Sequence, residues 1–189
     1  MIIGLTGSFC AGKDTIAEYI VTKNNFFHFS LSDIIREAMK NEGVEPTREN
    51  LIVFGTKMRE ENGNGVLAKM VMKEIDEKKN YCITSIRHLD EVNELRKNKK
   101  FVLVNIDAPQ NVRFERMLKR KRAGDPETLE KFIEFEKRES QSSGAGQQLL
   151  KTAQAADIIF INDTNDIKSL VQKIELLLKK IHSEQSKSL

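Results

Sequence analysis

Cysteine is scarce: Cys10 and Cys82 are the only two in 189 residues. That is too few for a disulfide framework and fits a reduced, cytoplasmic compartment. No stretch approaches the ~20 apolar residues of a membrane span, so a membrane partner is not expected. The chain opens at once on a short apolar run and a glycine loop, which reads as neither a signal nor a transit peptide. Charge of one sign is not in large excess: 31 Lys+Arg against 28 Asp+Glu leaves +3. That balance allows anionic small molecules without demanding nucleic acid. No internal repeat is present. With 39% hydrophobic and 31% charged residues, the composition excludes disorder and collagen. One domain of this length buries roughly 70% of its unfolded surface.

What is present is alternation of short apolar runs with helical patterns. Residues 1–5, 26–29, 81–86, 101–106 and 158–161 are dense in Ile, Val, Leu and Phe. Continuous runs of this kind suit a parallel sheet covered on both faces, and the expected class is an α/β layered fold with five strands. The clearest helix is the last, with Ile167, Leu170, Val171, Ile174, Leu177, Leu178 and Ile181 on one face and Thr164 or Asn165 as its cap. Residues 31–79 and 111–156 are too long for simple crossovers and read as substrate-covering elements. The polar tail 183–189 is expected to fray.

The strongest motif is Gly7-Ser8-Phe9-Cys10-Ala11-Gly12-Lys13-Asp14-Thr15, which follows an apolar strand and precedes the helical face Ile16, Ala17, Ile20 and Val21. This is the context a phosphate loop requires. Glycines let the backbone curl so that N–H groups face phosphate oxygens, and the helix N-terminus adds partial positive charge. Lys13 supplies a mobile full charge. The pattern wants Ser or Thr after the lysine as a Mg²⁺ ligand, and here Asp14 stands there, followed by Thr15. Asp14 is a hard ligand for Mg²⁺, or it simply favours the helix N-terminus.

Further along come Ser30-Leu31-Ser32-Asp33-Ile34-Ile35-Arg36, Met58-Arg59-Glu60, Ile86-Arg87 with Glu91, Arg113-Phe114-Glu115-Arg116, Gly124-Asp125-Pro126 and Asn162-Asp163-Thr164. In this order and spacing they resemble the adenylate-kinase-like and dephospho-CoA-kinase-like P-loop proteins of archaea, over nearly the whole chain. The resemblance implies a three-layer P-loop kinase fold on a five-stranded parallel sheet, with a helical acceptor-binding region at 31–79 and a lid at 111–156. It also implies ATP and Mg²⁺ as cofactors and a small phosphorylated acceptor as partner. Oligomeric state stays open.

By that resemblance Ser32, Arg36 and Arg87 bind the acceptor phosphate, with Arg59 as a third arginine. Arg87 also stands at the end of the third strand, the edge where open α/β sheets bind ligands. Arg113, Arg116 and Arg120 share one helical face opposite Phe114, Met117 and Leu118. Of these, Arg116 and Arg120, with Arg122, are assigned to the ATP phosphates, and Arg138 is a further candidate. A proline at the start of the next helix follows the glycine break. The stretch lacks the interleaved aromatics of a nucleic-acid patch. Asn162 and Asp163 are assigned to the adenine end.

The family's third strand commonly ends in Asp-Gly, where this chain has Thr84-Ser85. Asp14 and Thr84 would then have exchanged roles, keeping one carboxylate and one hydroxyl beside Mg²⁺. The acceptor divides the chemistry. A nucleoside monophosphate presents an anionic oxygen and needs no base. The ribose 3′-hydroxyl of dephospho-CoA calls for a carboxylate, and Asp33 is the candidate. Asp33 fits either a structural role beside Arg36 or that of a base. The Ser32–Arg36 segment favours the monophosphate, with dephospho-CoA kinase as the alternative. A nucleotide-binding regulatory or RNA-associated module is the alternative from another class. Cys82, Phe26, Phe27 and Phe29 are expected in the core, and His28 and His88 near the site without metal-ligand spacing.

Overall fold

The computed structural model describes residues 1–121, 125–140 and 144–187. Strands β1 (Ile2–Gly7), β2 (Phe27–Ser30), β3 (Tyr81–Thr84), β4 (Phe101–Asp107) and β5 (Ile158–Ile161) pair in the order β2-β3-β1-β4-β5. Every pairing is parallel. The connections are helical, as parallel pairing requires: α1 (Lys13–Asn24), α2 (Leu31–Asn41), α3 (Arg48–Asn62), α4 (Val66–Lys73), α5 (Leu89–Leu95), α6 (Gln110–Arg120), α7 (Leu129–Ser140), α8 (Leu149–Gln154) and α9 (Ile167–Lys187).

The central strands are buried on both faces, which is why their sequences run apolar without alternating. Ile3 and Leu5 of β1 pack with Ile16 and Ile20 of α1 and Ile174 of α9. Ile2, on the opposite face, joins Ile83 and Leu103 under Leu31, Ile35, Leu67 and Leu95. Each such side chain contributes roughly 1.5–3 kcal/mol on burial. The result is a three-layer α/β sandwich with a core on either side of the sheet.

Several local expectations are corrected. At one edge β5 is covered on one face only, with Ile159 and Ile161 66% and 47% exposed, and at the other edge Phe27 of β2 is 48% exposed instead of core. The third strand ends at Thr84, because Ser85 turns the chain with φ +61°. Asp166, rather than Thr164 or Asn165, caps α9, its Oδ2 accepting from the Ser169 N–H at 2.8 Å. α7 starts at Leu129 with Thr128 Oγ1 accepting from the Lys131 N–H at 3.3 Å, so Pro126 precedes the helix instead of opening it. α9 runs to Lys187, and Gln185 Nε2 donates to the Lys100 carbonyl at 2.6 Å; residues 188 and 189 of the tail lie outside the described residues.

Candidate nucleotide site

The loop between β1 and α1 is shaped by three left-handed residues, Gly7 (φ +131°), Cys10 (+58°) and Gly12 (+91°). Glycine is required at two of them. A Cβ on Gly7 would stand 2.0 Å from the Ile106 carbonyl oxygen, and one on Gly12 would stand 2.5 Å from Asn162 Nδ2. The loop is pinned at its base, where Ser8 Oγ donates to Asp107 Oδ1 at 2.7 Å and the Ser8 N–H donates to Ile106 O at 3.2 Å. Lys13 Nζ closes over it, donating to the carbonyls of Gly7 (2.9 Å) and Ser8 (2.7 Å).

This loop forms one wall of a cleft of about 1230 Å³ at the carboxyl edge of the sheet. Gly12, Lys13, Asp14, Thr15, Ser32, Asp33, Arg36, Arg59, Arg87, Arg116, Arg120 and Asn162 all line it, although they are scattered over the chain. Gly7 lines a smaller adjoining pocket, with Lys13, Asp14, Thr84 and Arg87. Ala11 is fully buried, and its carbonyl accepts from Asn162 Nδ2 at 2.8 Å.

Arg116 ties the phosphate loop to the loop after β5. Its Nη2 donates to Thr164 O at 2.7 Å, its Nε to Asn165 Oδ1 at 3.0 Å, and its Nη1 reaches Ala11 O at 3.4 Å. Burial lowers the Arg116 pKa from its ordinary value, with the group still a cation at neutral pH. Arg120 grips Asp125 with Nη2 to Oδ1 at 2.9 Å and Nε to Oδ2 at 3.1 Å. Arg113 shares the face of Arg116 and Arg120, its Nη1 reaching the Phe9 carbonyl at 3.4 Å, but it is buried: its Nε donates to Ala108 O at 2.8 Å and it pairs with Glu136 of α7. Leu118, expected opposite the arginines, is 45% exposed. Asp163 points away, exposed and paired with Lys173, whose hydrogen bond holds its carboxyl below the usual range. Arg122 and the Arg138 side chain lie outside the described residues.

At the other end of the cleft, hydroxyls cluster where β2 and β3 end. Ser30 Oγ lies 2.9 Å from Ser32 Oγ and 3.0 Å from Ser85 Oγ. Arg36 Nη1 donates to Ser32 Oγ at 2.7 Å and to Asp33 Oδ1 at 2.9 Å, so Asp33 pairs with the arginine one turn on. Arg87 Nη1 donates to Gln147 Oε1 at 2.8 Å. Arg59 is 3% exposed and its Nε and Nη2 both donate to Glu91 Oε1.

Residues 6–134 match the AAA domain family. A UPF0200 protein of Methanocaldococcus jannaschii is 34% identical over 184 residues, covering 92% of this chain and 90% of its own. The chain belongs to the UPF0200 family. A second UPF0200 protein, from Pyrococcus abyssi, is 33% identical over 188 residues, covering 96% of this chain and 97% of its own. Among solved structures, shikimate kinase from Bacteroides thetaiotaomicron superposes with a TM-score of 0.67 at 19% identity, covering 96% and 98% of the two chains. Shikimate kinase from Acinetobacter baumannii, in complex with shikimate, gives 0.57 at 15% identity over 95% and 93%. The fold is therefore that of the P-loop kinases.

In this UPF0200 chain, Mg²⁺ fits the donor set. Asp14 and Thr84 supply hard oxygens to the same small pocket as Lys13, and Mg²⁺ typically takes only one or two protein oxygens beside phosphates. Thr84 Oγ1 is itself 2.9 Å from His28 Nε2. Cys10 lines the cleft, and burial pushes its thiol up from the ordinary value. The sequence reading missed Ser30, Ser85, Asp125, Gln147 and the Glu91 carboxylate as parts of the site. Ser30, Asp125 and Glu91 stand in the motifs quoted above and Ser85 beside Thr84, but without a role; strand register and helix packing bring them and Gln147 to the site.

Proposed function

We propose that this protein is an ATP-dependent kinase that transfers the γ-phosphoryl group to a nucleoside-monophosphate-type acceptor. One observation carries the reading: Arg36 and Arg87 line the same cleft as the phosphate loop, with Arg36 bonded to the Ser32 hydroxyl and paired with Asp33. An acceptor that is already anionic needs arginines and hydroxyls for binding and no base. In the transfer, an acceptor phosphate oxygen attacks the γ-phosphorus. The bond to the β–γ bridging oxygen breaks, ADP leaves with that electron pair, and no proton has to move. Catalysis of this kind is positioning and charge stabilisation.

Each residue has a place in that scheme. The loop amides and Lys13 hold the β- and γ-phosphates. Arg120 offsets charge on the phosphates, and Arg116 positions the phosphate loop against Asn162 and Thr164 at the adenine end. Ser32, Arg36 and Arg87 clamp the acceptor phosphate, and Arg59 supports Arg87 through Glu91. Asp14 and Thr84 would hold Mg²⁺, which supplies charge neutralisation of the phosphates when bound.

The test is an acceptor screen with radiolabelled Mg-ATP, covering all ribo- and deoxyribonucleoside monophosphates together with dephospho-CoA. Labelled nucleoside diphosphate is the expected product. Label on dephospho-CoA alone would overturn the acceptor, and binding of ATP with no labelled product would overturn the activity.

A further inference from the structure

Ser85, the residue after β3, stands outside the acceptor clamp of Ser32, Arg36 and Arg87. Its backbone is left-handed, with φ +61°, a conformation that glycine takes freely and a residue with a Cβ only at a cost. Its Oγ lies 3.0 Å from Ser30 Oγ and 3.2 Å from Ser32 Oγ, and those two are 2.9 Å apart. Hydroxyls from the end of β2, the first turn of α2 and the turn after β3 thus close a triangle. Ser30 is also held at a cost. It stands at the N-cap of α2, where a serine side chain ordinarily accepts a helix N–H, and it makes no such bond. Ser30 and Ser85 both give up local stability, and what each gains is a place in the triangle.

Each hydroxyl carries a single proton. Round the triangle each proton goes to the next oxygen, so every bond among them is neutral. The remaining partner is a cation: Arg36 Nη1 donates to Ser32 Oγ at 2.7 Å. No carboxylate or carbonyl oxygen accepts from these serine hydroxyls among the described residues. A phosphate oxygen arriving there changes the balance. Hydroxyls turn about Cβ–Oγ, and a hydrogen bond to an anion is roughly twice as strong as a neutral one. The guanidinium that offsets the new charge is already attached to the triangle. Of the three serines, Ser85 alone lines both the main cleft and the adjoining pocket of about 70 Å³ that Lys13 also lines.

We propose that Ser85 Oγ donates to the acceptor phosphate beside Ser32 and Arg36, with Ser30 as the third hydroxyl of the set. The set suits a terminal phosphate monoester, whose anionic oxygens can take hydroxyl protons and the guanidinium together. The left-handed turn is strain retained to aim a side chain at a ligand. The inference rests on the reading that this kinase accepts a nucleoside monophosphate.

The test is steady-state kinetics on the full chain, with Mg-ATP and the nucleoside monophosphate that the acceptor screen labels fastest. Ser85→Gly removes the hydroxyl and the strain together. It should raise the acceptor KM about tenfold or more, the effect of losing a hydrogen bond to a charged group, and the Mg-ATP KM less than about threefold. Its urea midpoint should not fall below that of wild type, because relief of strain offsets glycine's greater freedom when unfolded. Ser85→Ala keeps the strain and should raise the acceptor KM to the same extent. Ser30→Ala should raise it by less. An acceptor KM within about threefold of wild type in both Ser85 variants would overturn the proposal and leave the kinase reading standing. So would an equal rise for the two substrates, or a lower urea midpoint in Ser85→Gly, either of which marks a structural role. Wild-type protein that labels no nucleoside monophosphate would overturn both.

Discussion

Arg59 and Glu91 form a buried ion pair, with Arg59 Nη2 2.8 Å from Glu91 Oε1 and side-chain exposures of 3% and 0%. The other carboxylate oxygen, Oε2, accepts the backbone N–H of Arg87 at 2.8 Å and of His88 at 3.0 Å. One carboxylate therefore couples α3 to the turn that presents Arg87 to the cleft. Removing it strands a buried cation and two backbone donors. Glu91→Ala should cost about 3–5 kcal/mol, the usual range for breaking a buried pair from one side. Arg59→Ala should cost less, because Glu91 keeps both N–H partners. Urea unfolding of the two variants checks the order, and a loss below about 1 kcal/mol for Glu91→Ala would contradict the coupling.

Lys13→Ala should abolish phosphoryl transfer while the protein stays folded. Its ammonium donates to carbonyls of the phosphate loop, and Lys13 belongs to neither hydrophobic core. Label transfer from ATP and circular dichroism on one preparation give the result. Transfer at the wild-type rate would remove the phosphate-loop assignment.

Asp33→Asn should change transfer to a nucleoside monophosphate by less than about tenfold, since the carboxylate holds Arg36 at the surface and takes no proton. A fall of about 10²-fold or more would instead indicate general-base catalysis and a hydroxyl acceptor. Steady-state rates with the best acceptor from the screen decide between them.

Burial pushes the Cys82 thiol up to about 12 from its ordinary 9.0. The unfolded chain therefore releases this proton at a lower pH than the folded one. The contribution is fully present below pH 9 and is lost as pH rises from 9 towards 12. Cys82→Ala should flatten the alkaline limb of the stability profile measured by urea unfolding between pH 8 and 10. Thiol-reagent labelling of the native protein should reach Cys10, which is partly accessible, and spare Cys82. An unchanged alkaline limb would place the Cys82 thiol in a polar environment.

Much of the fold was legible because parallel-sheet strands carry a continuous apolar run and phosphate loops a fixed order of glycines and lysine. Lys13, Arg36, Arg87, Arg116 and Arg120 were singled out because their spacing along the chain resembles a family pattern, and all five line the cleft. Glu91 and Gln147 received no role, because a sequence does not show which side chains come to lie against Arg59 and Arg87. Arg59 was read as a clamp, since a sequence shows a charge without showing the acid that packs against it.

The order of residues alone determined the alternation of strand and helix, the glycine positions that the loop's left-handed backbone demands, and the placing of Lys13 at the start of α1. Those are short-range properties, set by side-chain size, hydrophobicity and permitted φ. Tertiary structure decided which charges face the cleft and which are consumed internally: Arg116 and Arg120 face it, while Arg113 is spent on Glu136 and Asp163 on Lys173. Electrostatic partnership acts over a few ångströms in space, and only the packed sheet and its helices bring those partners within that distance.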